Sequence, residues 1–176
     1  IYRYQSARSV DETKRMDTTE LRNSFLIQDI FVADAVTATY SIQDRYVILG
    51  AMPVKNKLTL PPCEELTKAS YFLERREAGI INVGGNGTVI VDDKKFELKN
   101  KDCLYIGKGK TNIVFESDDP DNPALFYINS ALAASPYPCV HISKSEVQPL
   151  VMGDVSTANY RKIYQYIIPG RVQSCQ

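Results

Sequence analysis

The feature that most constrains this chain is a succession of short β-rich runs between residues 25 and 131. "FLIQDIFVA", "ATYSI", "RYVILGAMPV", "KLTL", "ASYFLE", "GIINVGG", "GTVIVDD", "KFEL", "DCLYIGKG", "TNIVFES" and "ALFYINSA" follow one another, each rich in β-branched and aromatic residues. They recur about every ten residues. Turn chemistry parts them: Gly84-Gly85-Asn86-Gly87, Asp92-Asp93 and "SDDPDNP" at 117–123. Short strands at that spacing predict a sandwich or a small antiparallel barrel. In "TVIVDDKKFEL", Val89 and Val91 alternate with Thr88 and Ile90, which suits a central strand covered on both faces.

The flanking text differs. "MDTTELRNSFLIQD" offers Asp17 or Thr18 as the N-cap of a helix of one or two turns, and counting from Thr18 to Leu21 finds no acid to complete a capping box. After residue 135, "SPYPCVHISKSEVQPLVMGD" is broken by prolines and reads as an extended connection. "TANYRKIYQYIIPGRVQSCQ" then gives one more alternating run through Ile163, Gln165 and Ile167, ended by Pro169-Gly170. The expected organisation is an amino-terminal extension with a short helix over 1–24, a β domain over 25–135, and an extended connection with a final strand over 136–176. With 176 residues, 44% of them hydrophobic, the chain suffices for one domain with a core and is short for two.

Charge narrows the partners. Lysine and arginine number 21 against 21 acidic residues, so no basic excess exists to hold a polyanion, and nucleic acid is not an expected partner. The apolar stretches fall far below the ~18 residues of a membrane span, and the first residues alternate charged with apolar positions rather than forming a secretory segment. A cytoplasmic protein with no membrane partner is expected. The chain begins at Ile1 rather than methionine, so a start further upstream is expected. Cys63, Cys103, Cys139 and Cys175 contain no C-x-x-C pair and read as reduced thiols.

The stretch "SYFLERREAGIINVGGNGTVIVDD" at 70–93 has the rhythm of the first cupin motif, in which two histidines precede a glutamate and a glycine. Glu77 and Gly84 stand at the right separation, but Ser70 and Phe72 occupy the histidine positions. "DCLYIGKGKTNIVF", with Asp102 and Gly109, resembles the second motif, with Gly107 and Asn112 in place of its proline and histidine. A divalent site needs about three converging donors, so no metal is expected here in the cupin manner. The only histidine, His141, stands between Val140 and Ile142 and reads as a strand residue before a ligand or base. Glu74 and Glu77 beside Arg75 and Arg76 read as a surface or interface charge cluster; alternatively Arg75 or Arg76 grips a carboxylate in the two-pronged geometry of guanidinium. The glycines at 84–87 lack phosphate-loop spacing and read as a turn.

Taken together, "LRNSFLIQDIFVADAVTATYS", "YFLERREAGIINVGGNGTVIVD", "DCLYIGKG" and "GDVSTANYRKIYQYIIP" closely resemble the amino-terminal part of the bacterial 5-keto-4-deoxyuronate isomerases, from about residue 16 to 176. The resemblance implies the first of two fused cupin-like barrels: an all-β, double-stranded β-helix, or jelly-roll barrel, with a short N-terminal extension. It implies interconversion of 4-deoxy-5-keto-uronate, the product of pectate-type lyases, with 3-deoxy-2,5-diketo-hexonate. It also implies a homohexamer. The family's zinc site, three histidines and a glutamate, lies in the second barrel, so neither zinc nor a catalytic residue is expected in this chain, nor isomerase activity from it alone.

What the resemblance leaves to the first barrel is scaffold, oligomer contacts and contacts to the substrate carboxylate from "NYRKIYQY" or "LERRE". Arg161 and Lys162, near the junction with the second barrel, are the first candidates, against an equal reading as solvated strand residues. Arg75 and Arg76 follow, with Tyr137, which reads also as a proline-packed aromatic. The competing reading is a metal-free cupin acting as a sugar-binding or assembly module. A transcription-factor sensor would want a basic helix-turn-helix, and none is visible.

Overall fold

Strand alternation divides this chain's β-rich runs between two sheets in the computed structural model, which describes residues 1–175. In chain order the elements are β1 (Tyr2–Gln5), α1 (Val10–Thr13), α2 (Thr18–Phe25), β2 (Ala35–Ser41), β3 (Tyr46–Met52), β4 (Leu58–Thr59) and α3 (Glu64–Thr67). Then come β5 (Arg76–Asn82), β6 (Gly87–Val91), β7 (Lys94–Leu98), β8 (Cys103–Ile106), β9 (Ile113–Ser117) and β10 (Phe126–Leu132). The chain closes with β11 (Val140–Ile142), β12 (Leu150–Met152) and β13 (Arg161–Ile163). One sheet has the order β1-β2-β3-β10-β5-β8-β11 and the other β4-β9-β6-β7, while β12 and β13 form a separate ribbon. Both sheets keep free edges, so the expected barrel is realised as two open sheets around one core.

Alternation decides which side chains fill that core. Val47, Leu49, Ala78, Ile80, Leu104, Phe126 and Ile128 point from the large sheet toward Val89, Val91, Leu98 and Phe115 of the small one, in a single apolar cluster. Phe115 and Phe126 meet across the sheets at 5.4 Å between ring centroids. β6 lies between β9 and β7, with Val89 and Val91 buried and Thr88 and Ile90 half-buried, as its composition predicts. The opposite face of β8 presents Cys103 and Tyr105 to a second cluster with Ile142, Val147 and Val172, covered by Tyr164, Tyr166 and Ile167. The large sheet therefore carries apolar packing on both faces.

Several expectations change. "FLIQDIFVA" is no strand: Phe25 ends α2, and Asp29 and Asp34 take positive φ, which breaks an extended run. "ASYFLE" is a turn in which Glu74 accepts the N–H of Ser70 at 2.7 Å, while Phe72 and Leu73 enter the core. The capping box exists one residue earlier than counted: Asp17 accepts from Glu20 N and Glu20 from Asp17 N. A second box joins Ser9 and Glu12 at α1. Within residues 1–24, β1 pairs in parallel with β2. The final alternating run is a strand only over β13; beyond it, residues 164–175 cross the outer face of the large sheet without regular structure.

The glycine-rich turn after β5 is held by a buried side chain. Asn82 donates to Gly85 O (2.6 Å) and Leu98 O (2.9 Å) and accepts from Gly84 N (3.1 Å) and Leu125 N (3.2 Å). A Cβ at Gly85 would stand 1.9 Å from Asn122 O, so close backbone approach is what demands glycine there. No helix follows, in keeping with a turn rather than a phosphate loop.

Candidate functional site

The residues singled out as a possible site begin β5, where alternation sends neighbours to opposite faces of the sheet. Arg76 points into the interior and is 2% exposed; Glu77 points to the outer face and is 0% exposed. The expected surface charge cluster is thus corrected at these two residues, whose side chains lie on either side of one strand. Glu74 and Arg75 remain a pair at the surface, 3.6 Å apart.

Three N–H donors of Arg76 are engaged. Nε donates to Ser130 Oγ (3.2 Å), and Nη2 to Ser130 O (2.7 Å) and Arg45 O (2.8 Å). The Tyr40 ring lies 5.6 Å from the guanidinium carbon, a cation–π separation. Burial lowers its pKa, partly offset by Tyr40. Two of its hydrogen bonds go to main-chain carbonyls, and the guanidinium is buried rather than presented at the surface.

Glu77 is no interior ligand either. Its Oε2 accepts the Tyr105 hydroxyl at 2.8 Å, and its two oxygens accept the Cys175 N–H at 2.8 and 3.1 Å. Burial and this hydrogen bond both raise the pKa of Tyr105, which stays a donor. Ser130 Oγ donates to the Glu77 main-chain carbonyl at 2.7 Å, tying the interior arginine to the backbone of β5 through one hydroxyl. The glutamate of the cupin motif has become an anchor for the chain's last described segment.

The remaining candidates lie on later segments of the chain. Arg161 and Lys162 lie exposed on β13, Arg161 bonded to Asn159 Oδ1 at 3.1 Å and Lys162 over the Tyr160 ring at 6.0 Å. Tyr137 is half-buried against the second cluster. His141 lies in β11 with Nε2 3.6 Å from Asp102 Oδ2, and Asp102 also takes the N–H groups of Lys99 and Lys144. Burial pushes the thiols of Cys63 and Cys103 up to about 11 and about 12, so neither supplies a thiolate at neutral pH.

The donor set does not fit a metal. Among the described residues no three of His, Cys, Asp and Glu come together, Phe72 packs in the core, and the space beside Gly107 is filled by the Tyr137 carbonyl, 1.9 Å from an added Cβ. Sequence reasoning passed over Tyr105 and Asn82. The signal for Tyr105 was its place on β8 opposite Gly79, one step along the sheet from Glu77.

Sequence comparisons with known proteins agree on one family. The profile described as the KduI/IolB family matches residues 26–176. The 4-deoxy-L-threo-5-hexosulose-uronate ketol-isomerase of Formosa agariphila is 47% identical over 175 residues, 99% of this chain and 62% of that protein. The protein of the same name from Lachnospira eligens is 49% identical over 170 residues, 94% of this chain and 60% of its own length. That of Escherichia coli strain SE11 is 43% identical over 166 residues, covering 93% and 59%. This chain thus spans about 60% of the length of these relatives. Among solved structures, an IolB-like protein from Salmonella typhimurium LT2 shares the fold, with a TM-score of 0.51 and 16% identity over 68% of this chain and 43% of that one.

Proposed function

The chain belongs to the KduI/IolB family, and on that premise we propose that it is the amino-terminal part of an intramolecular aldose–ketose isomerase. The reaction is conversion of 4-deoxy-5-keto-uronate to 3-deoxy-2,5-diketo-hexonate, in cytoplasmic catabolism of pectin and related uronates. The observation that carries this reading is 43–49% identity, over nearly the whole chain, to relatives named as ketol-isomerases.

Moving a carbonyl to the neighbouring carbon needs a base for the C–H proton and a group to stabilise the oxygen that gains charge. This chain's residues favour a division of labour in which they supply neither. Glu77 is buried and already accepts from Tyr105 and Cys175, and Arg76 is buried and donates to two main-chain carbonyls. By resemblance, the family's zinc site would lie in the polypeptide outside this chain. The present part contributes scaffold and contacts within a homo-oligomer, a hexamer by resemblance. Exposed Arg161 and Lys162 are the proposed contacts for the uronate carboxylate, with Arg75 and Tyr137 behind them.

The test is an isomerase assay with elemental analysis on this chain and on the longer polypeptide. The expected result is turnover and bound zinc in the longer protein alone, with Arg161→Ala there raising KM while kcat is retained. Turnover by the 176 residues themselves would end the proposed division. A longer protein that binds uronate without converting it would favour the sugar-binding or assembly reading.

A further inference from the structure

The outer face of the large sheet is covered at two places and open between them. On one side Ile30 lies over Gly50, its carbonyl 2.0 Å from an added Cβ; on the other Ile167 Cδ1 lies 2.8 Å from an added Cβ at Gly79. Strand register sets Ile48, Asn129 and Gly79 in one row across this face, and Gly50, Tyr127 and Ile81 in the next. Between the two covers is a cavity of about 230 Å³, floored by Ile81, Cys103, Tyr127 and Asn129 and walled by Tyr166 and Ile167.

The chemistry of this window is specific. No charged side chain lines it, so a uronate carboxylate would find no counter-charge there. Its polar groups are two phenols, a thiol and an amide, and Asn129 Oδ1 is buried without a hydrogen-bond partner among the described residues. Native folds seldom leave a buried acceptor so, and the broad χ2 preference of asparagine lets the amide turn toward the cavity. An apolar side chain accompanied by an N–H donor would satisfy both features.

We propose that this window is the docking surface for the remainder of the longer polypeptide, with an apolar side chain seated in the cavity and a neighbouring N–H donated to Asn129. The proposal rests on the reading of this chain as part of a longer isomerase. Two observations favour that occupant over a second copy of the chain. The matched relatives carry sequence beyond the 59–62% of their length covered here. Glu77, which holds the Cys175 N–H, is two residues from Gly79 on the same face of β5, about 7 Å along the strand. The last described residue, Cys175, therefore lies beside the window.

Hydroxyl-radical footprinting of Tyr127, in the 176-residue chain and in the longer polypeptide, tests this. The expected result is a labelling rate at least about fivefold lower in the longer protein, because a docked interface core excludes water. That protection should persist on serial dilution, and Asn129→Arg should abolish it while leaving the melting temperature of the 176-residue chain unchanged. Equal labelling in the two proteins would overturn the proposal. So would protection that vanishes on dilution, or that occurs in the short chain as well, since either makes a second copy the occupant. If Asn129→Arg does not fold, the wild-type comparison still decides. An isomerase assay on the same longer protein separates the outcomes: loss of activity defeats the functional reading, whereas unprotected Tyr127 in an active enzyme defeats the docking surface alone.

Discussion

Glu77 shows how one carboxylate can serve structure where a motif suggests chemistry. Buried acceptors are costly when a donor is removed, by about 1–3 kcal/mol per group. Tyr105→Phe, which removes the hydroxyl donor from Glu77 Oε2, should therefore destabilise the chain by about 1–3 kcal/mol in urea unfolding. The thiols give a second check at this scale. Cys63 and Cys103, pushed up to about 11 and about 12 by burial, should resist a disulfide exchange reagent at pH values near 8 until denaturant is added. Cys175, exposed in the fold, should react first.

At the scale of elements, two loops are clasped by carboxylates. Asp34 accepts the N–H groups of Asn56, Lys55 and Val54, which hold its carboxyl below the ordinary aspartate range. Burial would raise Asp92, but the N–H groups of Asn112 and Thr111 outweigh it and lower it too. A folded pKa below the unfolded one adds stability above the unfolded value, and that stability is lost as pH falls through the folded value. The melting temperature should accordingly fall from about pH 5 downward, and Asp34→Ala should flatten that fall. Much of this level was legible in the sequence: the runs at 45–54, 79–85, 87–93, 95–98 and 124–131 each contain the bulk of a strand. β1 was not, because "YRYQ" alternates without a turn signal and gains its place only by pairing with β2. Nor was the aim of Glu77. Alternation tells which residues share a face, but both faces of β5 are covered, so it cannot tell which one looks inward.

Across the whole molecule, residues 164–175 act as the roof of the second apolar cluster. Ending the chain at Ile163 would uncover Cys103, Tyr105 and Ile142 and lose the burial of Val172 and Ile167, at about 1.5–3 kcal/mol for each large apolar side chain. Thermal melting of that truncated form should show a drop of several degrees, larger than that of Tyr105→Phe, together with increased binding of a hydrophobic dye. The family-level reading was legible because long non-repeating segments carry it. The window around Asn129 was not, since it arises from rows of residues on three strands far apart in the chain.

The order of the large sheet places β10 between β3 and β5, and those two strands do not pair with each other. A ribosome delivers β5 roughly 50 residues before β10 is complete, an interval of about 2.5–10 s at ~5–20 residues per second. During that time the nascent polypeptide holds two naked strand edges awaiting the same missing partner. Synthesis speed through residues 83–132 thus sets how long each newborn molecule is exposed to its neighbours on a polysome. Slow codons in that stretch should lower the yield of soluble protein, although they change no amino acid.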